Sequence, residues 1–250
     1  MKYFIFYIYT LIFFVNCENE KNSIFDNQDP NEKIGSFVAK IILFNVGQGD
    51  SSLIITPQNE KILIDGGPPL AGYNTILPYF EYSGIKTLDY IIVSHFHKDH
   101  IGGLGEIING MDRTSGTDDD ISIKYAIYDR GLEETDVKLL NDYLQAFEDI
   151  RIEITLDENF YLEQDFRISI LSSNCKTKPQ AFVCKDENSR SIGVLIQFNL
   201  FKFLTMGDLT GGGENTLDLE SIVGAMAGKV SLFKVSHHGS SSSSNMDFIN

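Results

Sequence analysis

The 250-residue chain has five histidines, and all of them fall in two short clusters. The first cluster reads His95-Phe96-His97-Lys98-Asp99-His100, and the second is the adjacent pair His237-His238. Neutral imidazole nitrogens and carboxylate oxygens packed this densely suit borderline divalent cations. His95 and His97 stand two apart behind an apolar run, so an extended or tightly turned backbone points both rings the same way. Asp99 and His100 then turn toward a second position. Four ligands within one hexapeptide exceed what a single ion with an open coordination position takes. Two ions about 3.5–4 Å apart, as in two-metal hydrolases, account for them. A solvated polar loop is the competing reading, and its start straight after the strand Tyr90–Val93 speaks against it.

The elements that must position these residues follow from hydrophobic periodicity and turn residues. Strands are predicted at Phe37–Val46, Ser52–Thr56 and Lys61–Asp65, apolar and β-branched and separated by Gly or Pro-Gln-Asn turns. Leu88–Val93 is a buried-strand run that ends at the first cluster. Helical spacing marks Tyr73–Tyr82, Ile101–Asn109, Glu133–Phe147 and Glu214–Val223. Further strands fit Ile121–Tyr128, Arg151–Thr155, Arg167–Leu171, Ile192–Phe198, Phe201–Met206 and Lys229–Val235, and Asp112–Asp120 reads as an acidic loop. Both histidine clusters sit just past strand C-termini. This pattern predicts a sheet-rich α/β layer sandwich with its site on strand-end loops.

Composition narrows the partners. Lys plus Arg total 20 against 35 Asp plus Glu, a net charge of −15. Such a surface repels polyphosphate and lacks the extended basic footprint of a nucleic-acid binder. At the N-terminus, Lys2 precedes an almost unbroken apolar stretch, Tyr3–Val15, followed by Asn16-Cys17. This is too short to span a bilayer comfortably and resembles the signal of an exported lipoprotein, with Cys17 as the lipidated residue, or, since Asn16 departs from the small residue usual before that cysteine, of a secreted protein. A buried strand or helix is the alternative, and the near absence of polar periodicity disfavours it. Residues 1–17 are thus expected to be a signal peptide, and 18–36 a polar tether. Cys175 and Cys184 either pair in an oxidising compartment or remain free, partly buried thiols.

The motifs resemble, in order, those of the metallo-β-lactamase superfamily. They are Asn45-Val46-Gly47-Gln48-Gly49-Asp50-Ser51, Leu63-Ile64-Asp65-Gly66-Gly67, Ser94-His95 through Gly103, Met206-Gly207-Asp208 and Val235-Ser236-His237-His238-Gly239-Ser240. They are most similar to the metallo-hydrolase domain attached to bacterial competence (DNA-uptake channel) proteins and its free-standing relatives. The resemblance implies that residues 37–250 form a metallo-hydrolase domain, an αββα four-layer sandwich. The family pattern carries a further helix and strand past the point where this sequence stops, so the sandwich is expected without them. The resemblance also implies two divalent ions, Zn2+ or Mn2+, and hydrolysis of phosphodiester or other ester bonds.

Carried over residue by residue, His95 and His97 hold the first ion, and Asp99 and His100 the second. Asp208 bridges them, His237 completes the second site, and His238 contacts substrate or serves as an alternate ligand. Asp99 and Asp208 orient the attacking hydroxide. Asp65 and Asp50 steady the ligand loops from behind, or simply shape the turns their glycine neighbours form. The superfamily's middle histidine has no counterpart here. Asn188 and Ser191, in Glu187-Asn188-Ser189-Arg190-Ser191, resemble the Asn-x-x-Ser segment of the subfamily at that place. Lys98 and Arg190 are candidate contacts for substrate anions. The expected partners are a small or short nucleic-acid phosphodiester and a membrane, through the lipid anchor. A non-catalytic, metal-binding envelope lipoprotein is the other reading.

Overall fold

The computed structural model describes residues 11–16, 38–131, 138–156, 159–163, 165–213 and 216–249. Two β-sheets stack face to face, with helices outside each of them. The first sheet has seven strands in the order β1 to β7. These are β1 (Leu11–Asn16), β2 (Val38–Leu43), β3 (Ser52–Ile55), β4 (Lys61–Ile64), β5 (Thr87–Ile92), β6 (Ser122–Asp129) and β7 (Arg151–Glu153). Pairing is antiparallel from β1 to β4 and parallel from β4 to β7. The second sheet runs β10 (Lys176–Thr177), β9 (Phe166–Ser173), β11 (Gly193–Phe198), β12 (Phe201–Thr205) and β13 (Leu232–Phe233), with β8 (Asn159–Glu163) also paired to β9.

Side-chain alternation along the strands explains the layers. In β2, Ala39 and Ile41 face the second sheet and Ile42 faces the helices; in β4, Ile62 and Ile64 face the sheet and Leu63 the helices. The facing strands answer with Ile168, Ile170, Val194, Ile196 and Phe203, and this dry seam bonds the sheets together. Outside the first sheet, α1 (Leu77–Ser83), α3 (Leu104–Ile108) and α4 (Lys138–Phe147) cover Leu63, Leu88 and Ile91. Outside the second, α5 (Leu219–Ala227) covers Leu171, Leu195 and Leu204 with Leu219, Val223 and Ala227. The architecture is the four-layer αββα sandwich expected from the motifs. Each fully buried Leu or Ile contributes about 1.5–3 kcal/mol relative to exposure.

Several elements differ from their expected bounds. The last long helix begins at Leu219, not Glu214, because Asp218 caps it by accepting the Ser221 N–H at 3.0 Å. Strand β13 is two residues long, since the chain turns away at Lys234 toward the site. Strand β8 pairs with β9 where no strand was expected. Leu11–Asn16, inside the expected signal peptide, pairs with all of β2 as an edge strand. Residues 1–10 and 17–37, with the remainder of the signal and the tether, lie outside the described residues, as do 132–137 at the start of the expected Glu133–Phe147 helix. Among the described residues, no helix is long and apolar enough to cross a membrane. Cys175 and Cys184 form a disulfide with Cα atoms 5.9 Å apart, which settles the open choice between pairing and free thiols.

Candidate metal centre

The loops behind β5, β12 and β13 meet at one end of the sheet seam. Behind β5 the chain leaves the sheet through Ser94 and His95, and His97 stands in extended conformation at the start of α2 (Lys98–Ile101), which carries Asp99 and His100. Behind β12, Gly207 turns the chain with φ +53 so that Asp208 points into the same space. A Cβ at Gly207 would stand 2.8 Å from the Ser94 Cβ, so only glycine allows the two loops this approach. Gly103 plays the matching part behind α2, where a Cβ would lie 2.2 Å from the Gly66 carbonyl oxygen.

Side chains from these loops converge in two groups that share Asp208. Asp99, His100, Asp208 and His238 form one, and His95, His97 and Asp208 the other. His100 Nε2 lies 3.3 Å from Asp208 Oδ1, and His238 Nε2 lies 3.2 Å from Asp99 Oδ2 and 3.3 Å from Asp208 Oδ2. His95 Nε2 is 3.7 Å from Asp208 Oδ2 and 3.1 Å from His97 Nδ1. Close as they are, His100 Nε2, both nitrogens of His238 and Asp208 Oδ1 are buried and make no hydrogen bond. Buried polar atoms are rarely left so, and a ring of them aimed at common points has the donor chemistry of a divalent-cation site. The residues therefore fit the two ions the motifs imply.

The late histidine pair is reversed relative to expectation. His238, not His237, joins Asp99, His100 and Asp208. Both residues adopt left-handed backbone conformations, φ 48 and φ 51, inside the turn Ser236–Gly239. Two such residues in succession swing the second ring inward, which residue order alone does not reveal. His237 stands 3.9 Å from Asp208 Oδ2, its Nε2 3.3 Å from Asn188 Nδ2 and its Nδ1 3.2 Å from Ser242 Oγ. Asn188 thus reaches the edge of the cluster through His237, and its Oδ1 is buried without a partner.

Carboxylates behind the ligands orient them. Asp65 Oδ2 lies 2.8 Å from His100 Nδ1, and Asp65 also accepts the Ser94 N–H and hydroxyl, each at 2.7 Å. Asp50 Oδ1 is 3.3 Å from His238 Nδ1, and Asp50 is ion-paired with Lys234, a residue to which no role was assigned from the sequence. Of the candidate anion contacts, Lys98 is exposed, and Arg190 donates to Asn174 Oδ1 at 2.6 Å.

Charge and burial oppose each other here. Burial holds His95 well below the usual histidine range, reinforced by the charge on His100. Burial acts the same way on His100, but the Asp65 and Asp208 carboxylates outweigh it and raise it to about 10. Asp208, Asp50 and Asp99 raise His238 to about 11. Burial would raise Asp208, yet His100 and His238 hold it below the usual carboxylate value.

Residues 44–110 match the Metallo-beta-lactamase superfamily. The chain is 25% identical to ComE operon protein 3 of Bacillus subtilis over 84% of its own length and 26% of that protein's. It is 26% identical to recombination protein 2 of Haemophilus influenzae over 80% of its length and 21% of the relative's. Competence protein ComA of Neisseria gonorrhoeae is 36% identical over 29% of the chain and 11% of ComA. The chain thus spans about a quarter or less of each of these relatives. The motif resemblance and these matches agree on the metallo-beta-lactamase superfamily, with competence-associated proteins among the chain's relatives.

Proposed function

We propose that this protein is a binuclear metal-dependent hydrolase of phosphodiester bonds, working outside the cytoplasm. The observation that carries the reading is Asp208, shared by two donor groups, with the inward nitrogens of His100 and His238 buried and without hydrogen-bond partners. His95, His97 and Asp208 would hold the first ion, and Asp99, His100, His238 and Asp208 the second, Zn2+ or Mn2+ in each. Ions so held supply Lewis acidity and bring the pKa of water toward neutrality. The first group offers three protein donors, the number that catalytic rather than structural sites supply.

The chain's own residues set the rest. Asp99 and Asp208 present oxygens on the side where a water must be oriented. Asp65 fixes the ring of His100 through a hydrogen bond at Nδ1, and Asp50 stands 3.3 Å from His238 Nδ1, each carboxylate lying opposite an inward Nε2. Asn188 and His237 stand together beside Asp208, within reach of a substrate oxygen held there. A net charge of −15 favours a small or short single-stranded phosphodiester over duplex nucleic acid. The disulfide fits an oxidising compartment, in keeping with export and a lipid anchor at Cys17. Metal binding without turnover is the second reading, favoured by the lack of a middle histidine.

Metal content and hydrolysis of a bis-aryl phosphate, measured for the wild type and for Asp208→Ala, test the proposal. Two equivalents of metal with turnover that falls at least a hundredfold in Asp208→Ala are expected. Bound metal with no Asp208-dependent turnover would leave the non-catalytic reading.

A further inference from the structure

Arg130 is a fully buried cation that belongs to neither donor group. Its guanidinium grips Glu187 with both prongs, Nε donating to Oε1 at 2.8 Å and Nη2 to Oε2 at 2.7 Å. Nη1 donates to the Gly131 carbonyl at 3.1 Å, and the guanidinium carbon lies 4.4 Å from the centre of the Phe96 ring. Glu187 Oε1 also accepts the Phe96 backbone N–H at 2.8 Å. Phe96 separates His95 from His97, and Glu187 immediately precedes Asn188. One ion pair thus ties together the histidine loop behind β5, the turn behind β6 and the helical turn Asn188–Arg190.

Burying such a pair gains little over apolar side chains of the same volume, because desolvation offsets the attraction. Its geometry is better explained by what it holds. The planar fork saturates both carboxylate oxygens while stacking on Phe96, which an ammonium group does not do. The second donor group has supports of its own in Asp50 and Lys234, while Asp65 holds His100 and, through Ser94, also reaches His95. We infer that Arg130 and Glu187 are positioning residues that hold His95, His97 and Asn188 at the spacing the first ion requires. This rests on the two-ion reading above and extends it to residues far apart in sequence.

The test compares the wild type with the Arg130→Met/Glu187→Leu double variant and with Arg130→Lys, which keeps the charge without the fork. Co2+ is titrated by visible absorption, and exchange of the Phe96 amide is followed in chelator-treated protein. The wild type is expected to take two equivalents. The double variant should keep one near wild-type affinity, bind the other at least tenfold more weakly, and exchange the Phe96 amide faster. Arg130→Lys should show the same selective loss to a smaller degree, and it decides the matter if the double variant does not fold. Unchanged affinities and spectrum, or equal weakening of both sites, would overturn the inference. A wild type that takes up no Co2+ would instead sink the two-ion reading, while Phe96 exchange still tests the positioning.

Discussion

Asp65 Oδ2 lies 2.8 Å from His100 Nδ1, and the opposite nitrogen of that ring faces Asp208 Oδ1 at 3.3 Å. One carboxylate thus sets the direction of a ligand that a second carboxylate shares. Asp65 itself sits at φ 59, a left-handed conformation that asparagine also tolerates. Asp65→Asn should therefore fold and bind metal about 10–100-fold more weakly. Isothermal titration with Zn2+ checks this, and wild-type affinity would show that the contact does not orient the ring.

The same carboxylates give a pH signature. His100 and His238 have pKa values raised to about 10 and about 11 when protons rather than ions occupy the cluster. In the unfolded chain both titrate near 6.5. Between those limits the folded state binds more protons than the unfolded one, so its stability falls as pH rises. The Tm of chelator-treated protein should drop steadily from pH 7 to pH 10. With Zn2+ in excess the ligands are already unprotonated, and the slope should largely vanish. Equal slopes in both series would argue against proton–metal competition at these rings.

Gly207→Ala should damage both fold and site. The new Cβ would meet Ser94 at a backbone φ of +53, so the change costs at least about 1 kcal/mol from the backbone alone. It should also push Asp208 away from His95 and His100, lowering metal content in the folded fraction. Thermal melts and metal analysis read the two effects separately.

Leu195→Ala offers the contrasting case. Leu195 is buried between the second sheet and α5, away from the donor groups, and its truncation should cost about 2–5 kcal/mol. Metal stoichiometry at 20 °C should stay as in the wild type. A change in metal binding without a stability loss would contradict the core assignment.

The disulfide closes a loop with a sequence separation of 9. Cys175→Ser/Cys184→Ser should lower stability by about 2–3 kcal/mol, the chain-entropy value for so short a loop. Urea unfolding of the variant against the oxidised wild type checks this. No difference would mean that the native corner already constrains the chain.

Much of this protein was legible in its sequence because local patterns carry it. The alternation of Ile41 with Ile42, or Ile62 with Leu63, places both sides of the first sheet. The hexapeptide from His95 to His100 and the pair Gly207-Asp208 mark where the strands end and the chemistry begins. What stayed hidden depends on dihedral angles or on distant pairs. Two successive left-handed residues decide that His238 rather than His237 faces Asp99 and Asp208. Arg130 and Glu187 lie 57 positions apart, and nothing in the local composition of either announces the other. Strand β8 follows from its pairing with β9, not from any strong period of its own.

Asp65, His95 and His100 are presented by the first sheet, and Asp208 and His238 by the second, so the cluster straddles the dry seam of isoleucines. Neither layer owns a complete set. The centre is therefore a gauge of registry between the layers: a slip of the sheets that left every strand intact would still pull Asp208 away from its histidines. Substitutions deep in the seam, at Ile170 or Val194, stand to detune the chemistry well before they unfold the chain.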